Sequence, residues 1–156
     1  MAPISAAITI PANSTGGFLG LFSPDTAFNS SENHILAVEL DSFGKDWDPP
    51  FPHVGIDVNS LRSVNTTQWP IDLVPPGSRG NARISYESKT KTLSVSIGYP
   101  DAKPAMFVSL SQIVDLKGVL PEYVRIGFSA ATGDLVETHN LFSWSFRSFL
   151  EEDNSS

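Results

Sequence analysis

The sequence predicts an all-β fold arranged as an antiparallel β-sandwich, and three observations carry that expectation. Apolar and polar residues alternate in segment after segment, no three-and-four spacing lasts long enough for an amphipathic helix, and twelve Pro and eleven Gly punctuate the chain. In chain order, strands are expected near 17–22, 35–41, 53–60, 82–88, 92–99, 105–110, 123–130 and 140–149. The later alternation is the cleanest. Leu93, Val95, Ile97 and Tyr99 share one face, as do Val124, Ile126 and Phe128, and then Phe142, Trp144 and Phe146. Each such face needs a sheet opposite it. Two packed sheets, with Val95, Ile97, Ile126, Phe128, Trp144 and Phe146 largely buried, meet that need better than one open sheet. Trp69 belongs to the same expected core.

The chain of 156 residues suits one domain, expected over 1–150 and followed by an acidic, frayed tail at 151–156. A net charge of -7 leaves no basic footprint for phosphates, and no apolar run is long enough to cross a bilayer. Neither nucleic acid nor membrane is therefore an expected partner. With no Cys in the chain, disulfides, zinc–thiolate sites and thiol nucleophiles are excluded, so any metal must be held by oxygen and imidazole. Asn13, Asn29, Asn65 and Asn154 each open an Asn-x-Ser/Thr triplet, the acceptor pattern of a glycoprotein. That pattern suggests a secreted or vacuolar protein, although Met1 to Ala7 lacks the basic start and apolar run of a signal peptide.

The segment from Ala37 to Ser60 carries the chemistry. On its first strand Leu36, Val38 and Leu40 point one way, leaving Glu39 and Asp41 on the other face, about 7 Å apart by the pleat repeat. On its second strand Val54, Ile56 and Val58 share a face, and His53, Gly55 and Asp57 share the opposite one. Antiparallel pairing would bring His53 beside Asp41 and Glu39 at the mouth of the 42–52 loop. That loop holds Asp46 and Asp48 and is too long for a tight hairpin, so a divalent cation would organise it and relieve the carboxylate repulsion together. Glu39, Asp41, Asp48 and His53 suit a transition ion such as manganese, while Asp41, Asp48 and a backbone carbonyl suit calcium. Spacing alone supports a solvated acidic face with His53 capping a strand equally well. Asp57 reads as a hydrogen-bonded structural carboxylate, His139 as a surface residue, and Trp47 either as a sugar platform or as packing for the loop.

At these residues the chain resembles the legume lectins. The likeness runs through Gly16 to Phe22, Val38-Glu39-Leu40-Asp41-Ser42-Phe43, Trp47-Asp48-Pro49 and His53 to Ser60. It continues through Val114 to Lys117, Leu120 to Arg125, Gly127 to Ala130 and Leu141 to Phe146. The resemblance implies a concanavalin-like jelly roll, here expected to lack its N-terminal strands, with one Mn2+ and one Ca2+ stiffening the sugar-binding loops. It places manganese on Glu39, Asp41, Asp48 and His53, with Ser63 reaching a metal-bound water, and calcium on Asp41, Asp48 and the Phe43 carbonyl. For carbohydrate it implies Phe43 as a stacking surface, the backbone at Gly17, position 45, and the 133–137 loop with Leu135 and Val136. The short loop suggests mannose or glucose rather than galactose.

Two departures from the family pattern bear on function. The family's Asn is replaced at the aligned position by Lys45 or is deleted beside it; neither supplies the amide, and Lys45 has only donors and a positive charge, so it cannot coordinate calcium. Asp46 could compensate from the next position. The strand carrying the family's sugar-accepting Asp is also not found, which predicts weakened sugar binding. It also predicts exposed apolar surface that another copy of the chain, or a second lectin chain, would cover. The functional expectation is a metal-dependent carbohydrate-binding lectin, with a lectin-like storage or defence protein lacking ordinary sugar recognition as the alternative. An enzyme is not expected. Related sandwich hydrolases need a second carboxylate where Glu39-Leu40-Asp41-Ser42-Phe43 leads to Gly44, and no Gly-x-Ser-x-Gly elbow occurs.

Overall fold

The computed structural model describes residues 1–4 and 9–149, and among them eight antiparallel strands form three sheets. Strands β2 (Leu36–Asp41), β3 (His53–Val58) and β4 (Asn65–Gln68) make one sheet in that order, with β3 central. A second sheet holds β5 (Asn81–Glu87), β6 (Thr92–Tyr99) and β7 (Met106–Ile113), with β6 central. A small ribbon pairs β1 (Ala2–Pro3) with β8 (Val124–Arg125). The one α-helical turn among these residues, α1 (Leu116–Val119), starts at Asp115, whose carboxylate accepts from the Lys117 N–H at 3.2 Å. This is an antiparallel, β-rich fold consistent with a legume-lectin-type sandwich, as the alternation predicted.

The two larger sheets share one core. The pleat of β6 sends Leu93, Val95 and Ile97 inward, where they meet Leu36, Val54 and Ile56 from the facing sheet. Burial of each such side chain stabilises the fold by about 1.5–3 kcal/mol. Trp69 joins this core and satisfies its indole by donating to the Tyr99 hydroxyl at 2.9 Å. At the sheets' margin the Asn65 amide donates to the Ser111 carbonyl at 2.9 Å, tying β4 to β7.

Three expectations need correction. The 17–22 strand is replaced by a 3-10 turn at Gly16–Phe18, because Gly16, Leu19 and Gly20 adopt φ of 57°, 59° and 64°, which no strand accommodates. The 123–130 segment contributes only Val124–Arg125 to a ladder, and 140–149 contributes none. Consequently Ile126 is half-buried, while Phe128, Trp144 and Phe146 are more than half exposed rather than part of the core. None of the four lies in a strand, so no pleat turns them toward a facing sheet. The Phe128 and Trp144 rings instead meet edge to face at 5.5 Å. Conversely, β4 was not anticipated, since Asn65-Thr66-Thr67-Gln68 carries no apolar alternation and becomes a strand by pairing with the free edge of β3. The expected tail at 151–156, including Asn154, lies outside the described residues.

This division between core and uncovered face sets the mutational response. Ile97→Ala should destabilise the chain by about 2–5 kcal/mol in urea unfolding, whereas Phe149→Ser, at an exposed position, should change it by no more than about 0.5 kcal/mol. Equal losses at both positions would contradict the assignment of the core.

Candidate functional site

The site begins with the register of β2 against β3, which sets Asp41 opposite His53 and Glu39 opposite Gly55. Alternation then gathers Glu39, Asp41, His53, Gly55 and Asp57 on one face. That polar face is buried as well as the apolar one. His53 and Asp57 are 0% exposed and Glu39 and Asp41 are also buried, while Leu40 on the apolar side reaches solvent. Gly55 is required beneath them, because a Cβ there would lie 2.1 Å from Ser63 Oγ and 2.3 Å from Glu39 Oε1.

Polar contacts inside this face are tight. His53 Nε2 lies 2.9 Å from Glu39 Oε1, and the Ser63 hydroxyl lies 2.7 Å from Asp57 Oδ1 and also against Glu39 Oε1. Having one proton, Ser63 can donate to only one of these carboxylates and must accept from the other. A bond from Ser63 to Asp57 favours the charged carboxylate, but it is outweighed. Burial, reinforced by the charge of Glu39, pushes the Asp57 carboxyl up to about 9, so it is held neutral at ordinary pH. This agrees with the reading of Asp57 as a hydrogen-bonded structural carboxyl.

Backbone N–H groups of the 42–52 loop hold the carboxylates of Asp41 and Asp48. The Phe43 N–H donates to Asp41 Oδ1 at 2.6 Å, and the Lys45 N–H donates to Asp48 Oδ2 at 2.8 Å. Burial raises the pKa of both Asp41 and Asp48 despite these bonds, and the neighbouring carboxylates add to the rise. For His53, burial opposes the charged form, but the bond to Glu39 and the charges of Glu39, Asp48 and Asp41 outweigh it and raise the pKa.

Ligand atoms of Glu39, Asp48 and His53 all lie within 4.8 Å of one another, and Asp41 stands across the ladder from His53. Crowded, desolvated carboxylates with an imidazole form a donor set that a divalent cation would neutralise. Three of the four side-chain ligands read from sequence therefore converge, and the fourth adjoins them. Asp46 is exposed and outside this group.

The expected carbohydrate segments also meet at this end of the molecule. The Gly16 N–H donates to the Thr132 carbonyl at 3.0 Å, joining the Gly16–Phe18 turn to the 133–137 loop. Ser42 Oγ donates to Glu137 Oε2 at 2.6 Å, joining that loop to the 42–52 loop. Leu135, Val136 and the Phe43 ring are exposed. Lys45 crosses Gly17, where a Cβ would lie 2.9 Å from its Cγ, and its ammonium lies 4.7 Å from the Phe43 ring centroid. Trp47 packs on Phe18 and Phe28 at 5.7 and 5.3 Å, anchoring the loop rather than presenting a free platform. His139 is exposed, 3.5 Å from Glu137. Two contacts escaped the sequence reading: the Ser42–Glu137 bridge, which spans 95 residues, and the seat of Lys45 on Phe43.

Comparison with known proteins places this geometry. The legume lectin domain matches the chain over residues 1–156. Lectin 6 of Medicago truncatula is 51% identical over 145 residues, covering 90% of this chain and 51% of the relative. The lectin of Bauhinia forficata in complex with GalNAc superposes with a TM-score of 0.71 at 43% identity, covering 76% of this chain and 52% of that one. Lectin II of Ulex europaeus gives 0.74 at 40%, covering 85% and 55%. The chain thus spans about half the length of the curated relatives it matches. The expected preference for mannose or glucose is overturned by these neighbours. Similar solved lectins are described with GalNAc, galactose, methyl-α-D-galactose or the methyl glycoside of α-L-fucose, while of two relatives from Centrolobium one is named mannose/glucose-specific and the other mannose-specific. The family is non-catalytic, in line with the expectation of no enzymatic activity. On the match along its whole length, the chain belongs to the legume lectin family.

Proposed function

We propose that this chain is a carbohydrate-binding lectin module whose binding loops are stiffened by Mn2+ and Ca2+. The convergence of Glu39, Asp48 and His53, at the foot of the loop that presents Phe43, carries this reading. Manganese would take Glu39, Asp41, Asp48 and His53, and calcium would take Asp41, Asp48 and the Phe43 carbonyl. The ions would supply charge neutralisation and loop rigidity. Phe43, the Gly17 backbone and Leu135 and Val136 would then form the cradle for a sugar.

Binding of neutral monosaccharides is weakened in this reading, since an unmade hydrogen bond to a buried partner costs about 1–3 kcal/mol and Lys45 stands in place of an amide. A second reading, a lectin-like storage or defence protein without ordinary sugar recognition, draws on the same residue, which sits on the Phe43 ring. A secreted or vacuolar location belongs to the proposal, with Asn13 and Asn29 exposed for glycosylation. An endoglycosidase should lower the mass of the natural protein, and an unchanged mass would remove this support.

Adding Mn2+ and Ca2+ to the chelated chain should raise its melting temperature, because the ions bind only the folded state. Asp48→Asn and His53→Ala should each abolish most of that rise. Isothermal titration showing no divalent binding to the unaltered chain would refute the metal assignment.

The pH dependence follows from the shifted groups. Asp41, Asp48, Asp57 and His53 all have pKa values raised in the folded state, so each contributes most below its unfolded value and loses that contribution as pH rises. For Asp57 the window extends from the ordinary carboxylate range to about 9. Metal ions bind the deprotonated ligands, so the stabilisation they confer should grow between about pH 5 and about pH 8. A metal-induced shift that is constant across this range, measured by thermal melts, would contradict the ligand set. In the chelated chain, Asp57→Asn should gain stability relative to the unaltered chain as pH rises.

A further inference from the structure

We propose that Lys45 makes this site selective for acidic saccharides, those bearing a carboxylate or sulfate, over their neutral counterparts. The inference deepens the carbohydrate-binding reading and rests on it. Gly17 leaves room for the aliphatic stem of Lys45 to cross the turn, with Cγ and Cε 2.9 and 3.1 Å from where a Cβ would lie. The ammonium thereby arrives 4.7 Å from the centroid of the Phe43 ring, the exposed aromatic surface of the binding end. A neutral sugar that stacked on this ring would compete with the cation for it. An acidic sugar would pair with the cation.

Asp41 lies within electrostatic reach of this ammonium without forming an ion pair with it. Among the described residues no salt bridge engages Lys45. Asp48 accepts from the Lys45 backbone N–H and Asp41 from that of Phe43, while Glu137 accepts from Ser42 and lies near His139. Asp46 is exposed beside it. A cation–π contact at an exposed site is weak, and exchanging it for a charge-assisted bond to an anionic group is favourable. The ammonium can leave the ring face to meet the acid, which frees the ring to stack on the sugar. The carboxylates beneath would repel an anionic ligand, so the acid preference requires the metal-loaded chain, in which that charge is offset.

The test is calorimetric titration of the metal-loaded chain with matched pairs, methyl galactoside against methyl galacturonoside and methyl glucoside against methyl glucuronoside. At low salt the acidic member should bind about three- to tenfold more tightly, as expected for one charge-assisted contact at a partly exposed site. The ratio should fall toward one in about 0.5 M salt and in Lys45→Met, and should invert in Lys45→Glu. Melting temperatures of the variants report whether each is folded. Equal binding of both members by the unaltered chain, or an acid preference that survives Lys45→Met, overturns the role of Lys45 and leaves the carbohydrate reading standing. Failure of every sugar, with metal stabilisation intact, overturns both. Neutral sugars that bind only after Lys45→Met would show that Lys45 obstructs the ring rather than selects a charge, which also overturns the proposal.

Discussion

The functional end of the molecule depends on a concentration of like charge inside the fold. Glu39, Asp41 and Asp57 are buried together on the polar face of the β2–β3 pair, with Asp48 brought near them by the adjoining loop. Such crowding is unfavourable without compensation, because carboxylates out of water repel one another and lose hydration. The structure compensates by neutralising one group, Asp57, by setting His53 against Glu39, and by spending backbone N–H groups on Asp41 and Asp48. The remaining charge is the physical motive for a cation.

Each local feature of the site answers that constraint. Gly55 is bare because Glu39 and Ser63 occupy the space above it. The 42–52 loop curls back because Phe43 and Lys45 point their amides at Asp41 and Asp48. Trp47, packed on Phe18 and Phe28, holds the loop from its outer side, so the same turn of chain carries the Asp48 carboxyl on one flank and packing on the other. The Phe43 ring, at the start of the loop, stays exposed, and Lys45 reaches it across Gly17.

Away from this end, the apolar rows are unequally covered. Leu93, Val95 and Ile97 are sealed by Leu36, Val54 and Ile56, whereas Phe128, Phe142, Trp144 and Phe146 face solvent. Both sets alternate in sequence with the same period. The difference lies in whether the row belongs to a strand that faces another sheet, and burial rather than pattern is what converts an apolar row into stability.

Sequence alone determined the fold class, the β2–β3 pairing and the identity of the acidic and imidazole groups that meet there. Period-two alternation fixes which side chains share a face, and an antiparallel ladder then fixes their neighbours, as His53 opposite Asp41 illustrates. Alternation also made Gly55 legible as a member of the polar face, though not the reason for it. Tertiary structure decided the rest: the replacement of a 17–22 strand by left-handed turns, the pairing of polar β4 with β3, and the exposure of the late aromatic row. It also decided the neutrality of Asp57, the Ser42–Glu137 bridge and the seat of Lys45 on Phe43. These features depend on what lies across a gap from each residue, and period-two alternation specifies only the face a side chain takes, never the surface that comes to meet it.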